Sequence, residues 1–151
     1  MPLTIRRAGP ADAAVVAEFN RLLAEESEGK ALDSAVLAAG VAAGLADPHK
    51  SAYFLAEQDA AALGQIMYTT EWSDWRNGWF WWIQSVYVRP EARRRGVFRA
   101  LFDHVAAAAR ADPEVIGLRL YVETENHVAR ETYQRLGLGP TGYVVLERYP
   151  L

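Results

Sequence analysis

Over Leu3–Ala8 the apolar residues Leu3 and Ile5 are interleaved with Thr4 and Arg6, and this period of two predicts a short strand. Pro10 then opens a longer period. Val15, Phe19, Leu22 and Leu23 fall on one face, so a helix is expected from Pro10 to about Glu26. Asp33 or Ser34 can cap a second, alanine-rich helix that stops at "ADPHK". Three strand-like segments follow, at 51–57, 62–72 and 79–88, joined by "QDAA" and "SDWRNG", whose residues are turn formers. An antiparallel meander is the expected result.

After Pro90 the period returns to three and four. Phe98, Leu101, Phe102, Val105 and Ala109 mark an amphipathic helix that ends at "ADPEV". "GLRLYVE" at 117–123 reads as a strand, and a shorter helix over 127–136 stops at Gly137, a good residue to follow a helix end. "YVVLERY" supplies a final strand. The order is β α α β β β α β α β, an α/β chain of the α+β kind whose mixed, mostly antiparallel sheet is flanked by helices. A strand at an exposed sheet edge invites pairing, so a homodimer is a candidate assembly.

Composition narrows the function classes. The 151 residues suit a single domain spanning 1–151, and 51% hydrophobic with 23% charged residues is the balance of a folded globular protein. A net charge of −3 argues against a protein built around nucleic acid, so any basic function must be local. The absence of cysteine removes disulfides, thiolate metal sites and a cysteine nucleophile. The three histidines, His49, His104 and His127, lack the spacing of a zinc motif, so no metal is expected. The N-terminus has no apolar run of signal-peptide length, and the small-apolar run at 35–46 is too short and glycine-rich to span a bilayer. A cytoplasmic protein with no membrane partner is expected.

The chemistry concentrates at "VYVRPEARRRGVFRALFDHV", 86–105, where an apolar strand passes through Arg93, Arg94 and Arg95 to Gly96 and into a helix carrying Arg99. A helix N-terminus offers unpaired N–H groups and the positive end of its dipole, which suits an anion. Gly96, without a Cβ, lets backbone approach a phosphate, and neighbouring arginines add charge-assisted bonds. The plainer reading is a solvated helix start with Gly96 in a turn. A second cluster, "Leu120-Tyr121-Val122" followed by Asn126, Ala129, Tyr133 and "Leu136-Gly137", has plain readings too. Asn126 suits a helix N-cap, and Tyr133 with Leu136 suits a core stripe.

Together these two clusters, in this order and at strand–helix junctions, make the chain resemble the GCN5-related N-acetyltransferase (GNAT) superfamily over nearly its whole length. The first is similar to the family's Q/R-x-x-G-x-G/A signature, with a departure: bulky Phe98 stands where a small residue is usual. Phe98 lies on the apolar face of its helix and can turn inward, leaving the backbone cradle in place. The resemblance implies a GNAT-like fold and an N-acetyltransferase that moves an acetyl group from acetyl-CoA to a primary amine, by direct attack through a tetrahedral intermediate. It implies that acetyl-CoA is held by Val86, Tyr87 and Val88 on the pantetheine arm and by Arg93, Arg94, Arg95, Gly96, Val97, Phe98 and Arg99 at the pyrophosphate, with Asn126 adding to the site. The fourth and fifth strands would splay apart at a bulge to admit the arm. Tyr133 would protonate the departing thiolate, which a phenol with a pKa near 10 can do at neutral pH.

The acceptor side is less determined. Relatives often carry a carboxylate base on the fourth strand, and "WFWWIQSVYV" has none. Glu71, Asp74, Glu123 and a water relayed by Gln84 are the candidates for that role. All five tryptophans fall between 72 and 82, and Trp72 and Trp75 at the hairpin, beside Glu71 and Asp74, could hold a cationic small-molecule amine. The acidic "EESEG" at 25–29 could close the same mouth, or be a solvated loop. Two other functions stay open: a non-catalytic acetyl-CoA-binding sensor, suggested by Phe98 and the missing base, and a nucleic-acid-contacting domain using Arg89, Arg93, Arg94, Arg95 and Arg99. The acidic balance disfavours the last.

Overall fold

A computed structural model describes all 151 residues, Met1–Leu151, which divide into two compact units, Met1–Tyr121 and Val122–Leu151. The first unit is built on a five-stranded sheet in the order β1-β2-β3-β4-β5. Its strands are β1 (Thr4–Arg7), β2 (Ala52–Gln58), β3 (Ala61–Ser73), β4 (Gly78–Val88) and β5 (Val115–Leu120). The first four are antiparallel neighbours, and β5 joins β4 in parallel. Parallel neighbours need a crossover, and helix α3 (Val97–Ala111) supplies it.

Helix α1 (Ala13–Glu28) follows a single 3-10 turn at Pro10–Asp12, where proline's missing N–H costs nothing. It ends at Gly29, whose left-handed φ of 63° closes the last turn. Helix α2 (Ser34–Ala46) is capped by Asp33, whose carboxylate accepts the Val36 amide at 3.0 Å, a contact worth about 1 kcal/mol. One side of the core, around Val16, Phe19 and Leu55, lies between these helices and the sheet, and the other lies under α3. Phe19, Leu55, Ile66, Leu101, Val16 and Val105 are fully buried, each contributing roughly 1.5–3 kcal/mol through removal from water.

The strands of the meander sit where the alternation predicts them, shifted by a residue or two at their ends. The strand expected at 117–123 occupies Val115–Leu120 instead, beginning earlier because the Val115 amide closes a turn onto Asp112. Trp81 is buried, stacked on Tyr68 with ring centroids 3.9 Å apart. On the other face Phe80 is covered by the Arg119 guanidinium at 3.7 Å from its ring centre.

The second unit contains helix α4 (His127–Arg135), whose N-cap Asn126 accepts the Ala129 amide at 3.1 Å. The capping role expected of Asn126 is therefore present. The strand expected at 143–149 is not: this segment is extended chain outside any ladder, with its apolar side chains exposed. Strand propensity alone does not make a strand, because a ladder needs a partner's N–H and C=O groups. No helix is long and apolar enough to cross a membrane, and no group of three or more His, Asp or Glu side chains is arranged to hold a metal ion.

Candidate active site

The decisive local feature is in β4. Gln65 pairs with Tyr87 and Met67 with Gln84, so Ser85 and Val86 together oppose Ile66. This is a β-bulge, and Ser85 takes a left-handed φ of 52° to make it. The pairing of β4 with β5 ends at Ile83 and Leu120, so from Gln84 onward β4 has no neighbour on that side. The splay expected between the fourth and fifth strands thus begins at the bulge. Val86, Tyr87 and Val88 are the residues left beyond it.

On the opposite side β3 is pressed against the same stretch. A Cβ at Gly64 would stand 2.6 Å from the Tyr87 carbonyl oxygen, so only glycine permits this approach. Beneath the bulge, buried Gln65 donates through Nε2 to the Ser85 carbonyl at 3.0 Å and to Asn20 Oδ1 at 3.1 Å. Asn20 in turn donates to the Tyr53 hydroxyl at 3.2 Å. These three side chains fix the irregular backbone from below.

The chain leaves β4 through Arg89 and a 3-10 turn at Pro90–Ala92, then enters α3 by way of the arginines. Arg94 and Gly96 both have left-handed φ, 62° and 79°. The amides of Arg94, Arg95, Gly96 and Val97 donate to no backbone acceptor, leaving donors at the positive end of α3. The four arginines separate by what they touch. Arg93 donates to the Val88 carbonyl at 2.9 Å and pairs with Glu26 at 2.6 Å while lying over the Tyr87 ring. Arg95 reaches Gln58 at 3.3 Å, and Arg99 pairs with Asp103 one helical turn on. Arg94 is exposed and makes no hydrogen bond or ion pair. Phe98 is half-buried, with its ring 6.1 Å from Phe102, as expected of a side chain on the apolar face.

Tyr87 is buried against Phe19 and donates its hydroxyl to Glu26 at 3.2 Å. Burial first, and the Glu26 charge second, push its phenol above the ordinary value. Tyr133, on α4 in the second unit, has its phenol raised by burial. Glu123, in the same unit, accepts the Glu125 amide in the turn before α4.

A cavity of about 540 Å³ opens between α1 and α2 and reaches β4 at Ser85. Leu23, Leu37 and Val41 give it apolar walls, and Asn20, Tyr53 and Glu28 supply polar groups. The hairpin residues singled out in the sequence lie elsewhere. Glu71 faces Phe80 in register, five residues before Ser85, or roughly 17 Å along an extended strand. Its carboxylate accepts the Trp82 indole N–H at 2.8 Å and pairs with Arg119 at 3.1 Å. Trp72 packs edge-on against Trp79, Asp74 accepts the Trp75 amide, and Trp75 is exposed at the tip. Gln84 adjoins the bulge and donates to Thr69 Oγ1 at 2.7 Å. The structure therefore brings Tyr87 and Val88 against Arg93 of the arginine turn, with Gln84 and Val86 at the bulge, and sets Glu71, Trp72, Asp74 and Trp75 further along the hairpin.

Sequence reasoning missed Ser85, Gln65, Asn20, Tyr53 and the tie from Glu26 to Arg93. One signal was available: Gln84-Ser85 is the only polar pair in the otherwise apolar run 79–88.

The model of the "Acetyltransferase (GNAT) family" matches residues 16–138. The chain belongs to this family. The possible acetyltransferase of Clostridium difficile 630 is 44% identical over 100% of this chain and 99% of that one, with a TM-score of 0.94. At lower identity the likeness is of fold. The ribosomal-protein-alanine N-acetyltransferase of Brucella melitensis biovar Abortus 2308 is 16% identical, with a TM-score of 0.80 over 99% of this chain and 100% of that one. A predicted acetyltransferase of Clostridium acetobutylicum, solved with acetyl-CoA, is 18% identical, with a TM-score of 0.80 over 97% of this chain and 96% of that one. No curated protein matches the sequence.

Proposed function

We propose that this GNAT acetyltransferase transfers the acetyl group of acetyl-CoA to a primary amine on a small molecule, amino acid or peptide end. The observation that supports this best is the succession of two features along one stretch of chain. β4 loses its β5 neighbour at the bulge, and a few residues later the backbone presents free amides at the start of α3. The first suits an extended amide-bearing arm, which would bond Val86–Val88 as a missing strand would. The second suits a pyrophosphate, with Arg94 as the uncommitted cation. That a neighbour of this fold was solved with acetyl-CoA supports the same reading.

In this reading the neutral amine nitrogen attacks the thioester carbonyl, the new C–N bond gives a tetrahedral intermediate, and its collapse breaks the C–S bond. A β4 backbone N–H near Tyr87 or Val88 would stabilise charge on the carbonyl oxygen. The sulfur leaves with the electron pair and takes the Tyr133 hydroxyl proton; the nitrogen gives up one proton to water. The cavity reaching Ser85 would admit the acceptor, with its apolar walls taking the body of the molecule and Glu28 favouring a cationic approach. A cytoplasmic setting is part of the same proposal.

The absence of a carboxylate on β4 favours a second reading, a module that binds acetyl-CoA without turnover. One experiment separates them. Acetyl-CoA at 100 times its dissociation constant should stabilise the protein by about 2.7 kcal/mol, raising Tm by roughly 5–10 °C. Release of free CoA thiol should then follow addition of an amine from a broad panel. Binding with no thiol release from any amine would leave the sensor reading. No shift with acetyl-CoA would sink both.

A further inference from the structure

The hydrogen bonds at the floor of the cavity between α1 and α2 run in one direction only. They start at the bulge. The Ser85 carbonyl can only accept, so the Gln65 amide turns Nε2 towards it, at 3.0 Å. The opposite orientation would set Oε1 against that carbonyl, acceptor to acceptor. With Gln65 fixed, the other N–H of Nε2 meets Asn20 Oδ1 at 3.1 Å. Asn20 is thereby fixed too, and its Nδ2 donates to the Tyr53 hydroxyl oxygen at 3.2 Å. That oxygen is already an acceptor, and no protein group accepts the Tyr53 proton. Gln65 is fully buried and Tyr53 only 6% exposed, so bulk water does not redirect the chain.

Asn20, Tyr53 and Ser85 all line the cavity. A phenol proton in a largely dehydrated place is costly to leave without an acceptor, and an oxygen on the molecule filling the cavity would supply one. The rest of the lining restricts that oxygen. Leu23, Leu37 and Val41 are apolar, Glu28 is the one charged side chain, and no lysine, arginine or histidine is present. A carboxylate here would lie in apolar surroundings with no cation to pair with, near a group of its own sign. A hydroxyl or an amide carbonyl would take the Tyr53 proton without that penalty.

We propose that the acceptor entering this cavity is a primary amine with an apolar body and an uncharged oxygen, and that Tyr53, held by Asn20 and Gln65, selects for that oxygen. An amino alcohol, an aminoacyl amide or a peptide N-terminus fits; a free amino acid, with its carboxylate, does not. The inference rests on the acetyl-transfer reading, in which the acceptor occupies this cavity, and narrows it.

Four amines that share one branched body provide the test: leucinol, leucinamide, leucine and 3-methylbutylamine, which has no oxygen. Their dissociation constants are measured by NMR titration with CoA present, so no turnover is needed. Leucinol and leucinamide are expected to bind at least about 10-fold more tightly than 3-methylbutylamine, and leucine more weakly than either. Tyr53→Phe, which removes the proton and keeps the ring, should bring the affinities for leucinol and 3-methylbutylamine close together. Comparing the same two amines in both proteins cancels their different basicities. Where Tyr53→Phe fails to fold, the order in the natural protein decides alone. Equal affinity for leucinol and 3-methylbutylamine overturns the proposal. So does leucine as the tightest ligand, a preference for leucinol retained in Tyr53→Phe, or no saturable binding by any of the four. Acetyl transfer to the same amines is followed separately. The expected binding order without transfer sinks the acetyl-transfer reading alone, and transfer without that order sinks this proposal alone.

Discussion

Arg93 Nη2 lies 2.6 Å from Glu26 Oε2, joining the arginine turn that leads into α3 to the last turns of α1. The same guanidinium holds the Val88 carbonyl, so Arg93 braces the end of β4. Arg94, one residue on, braces nothing. Adjacent arginines in one run therefore have different tasks.

Replacing each should separate those tasks. Arg94→Ala should leave Tm within a degree or two and weaken acetyl-CoA binding about 10-fold, the loss of one charge-assisted bond. Arg93→Ala should lower stability by up to about 1 kcal/mol, since the pair with Glu26 is half-exposed and screened by water. Glu26→Gln should reproduce the Arg93 stability loss and not the Arg94 binding loss. Calorimetric titration and thermal melts of the three variants check this. Equal binding losses at Arg93 and Arg94 would contradict the division.

Gly64→Ala tests the close approach of β3 to the bulge. The added methyl would meet the Tyr87 carbonyl oxygen at 2.6 Å, and backbone cannot swing aside as a side chain can. A loss of about 2–3 kcal/mol is expected in urea denaturation, the upper range of overpacking. An unperturbed midpoint would show that the strands have room to separate.

Tyr133→Phe should reduce kcat by about 100-fold or more while leaving the dissociation constant of acetyl-CoA nearly unchanged. Because burial raises this phenol, the protonated, donating form persists to higher pH than in a free tyrosine. The alkaline limb of kcat that is due to Tyr133 should therefore fall above pH 10, and it should vanish in the variant. A kcat unchanged by the substitution would assign Tyr133 to packing.

Asp12 should shape the acid limb of stability. Its carboxylate takes two bonds from Arg6, at 2.7 and 2.9 Å, and one from the Gly9 amide, and the bonds from Arg6 lower its pKa most. A lowered native pKa means the unfolded chain binds the proton first as pH falls. The stabilisation is thus complete above about pH 4 and disappears as pH drops through the native value. Asp12→Asn should cost about 1 kcal/mol at pH 7, discounted for the half-exposed arginine, and should flatten the fall in Tm between pH 4 and pH 2. Parallel Tm–pH curves for the two proteins would remove Asp12 from the acid limb.

Most elements were legible because they are written in short-range periods. The apolar face of α3, the Asp33 cap, the Asn126 cap and the turn at the β3–β4 hairpin each depend on residues within a few positions of one another. The arginine–glycine turn was legible for the same reason, being one contiguous stretch at a strand–helix junction. The bulge was expected but not located, because its residue must be chosen against β3, through Gly64 and Gln65. The tryptophan hairpin was a candidate for the acceptor site because it is close to β4 in sequence, and extended backbone sets Glu71 roughly 17 Å along the strand from Ser85.

The sequence by itself determined most of the helices and strands and which family the chain belongs to, since periodicity, caps and two local motifs carry that information. The tertiary structure alone decided which arginine is left free and where β4 parts from β5. It also decided that the last strand-like segment forms no ladder. Each of these depends on a partner supplied from afar, as Glu26 is supplied to Arg93 across 67 residues, and a hydrogen bond or ladder exists only where folding brings both halves together.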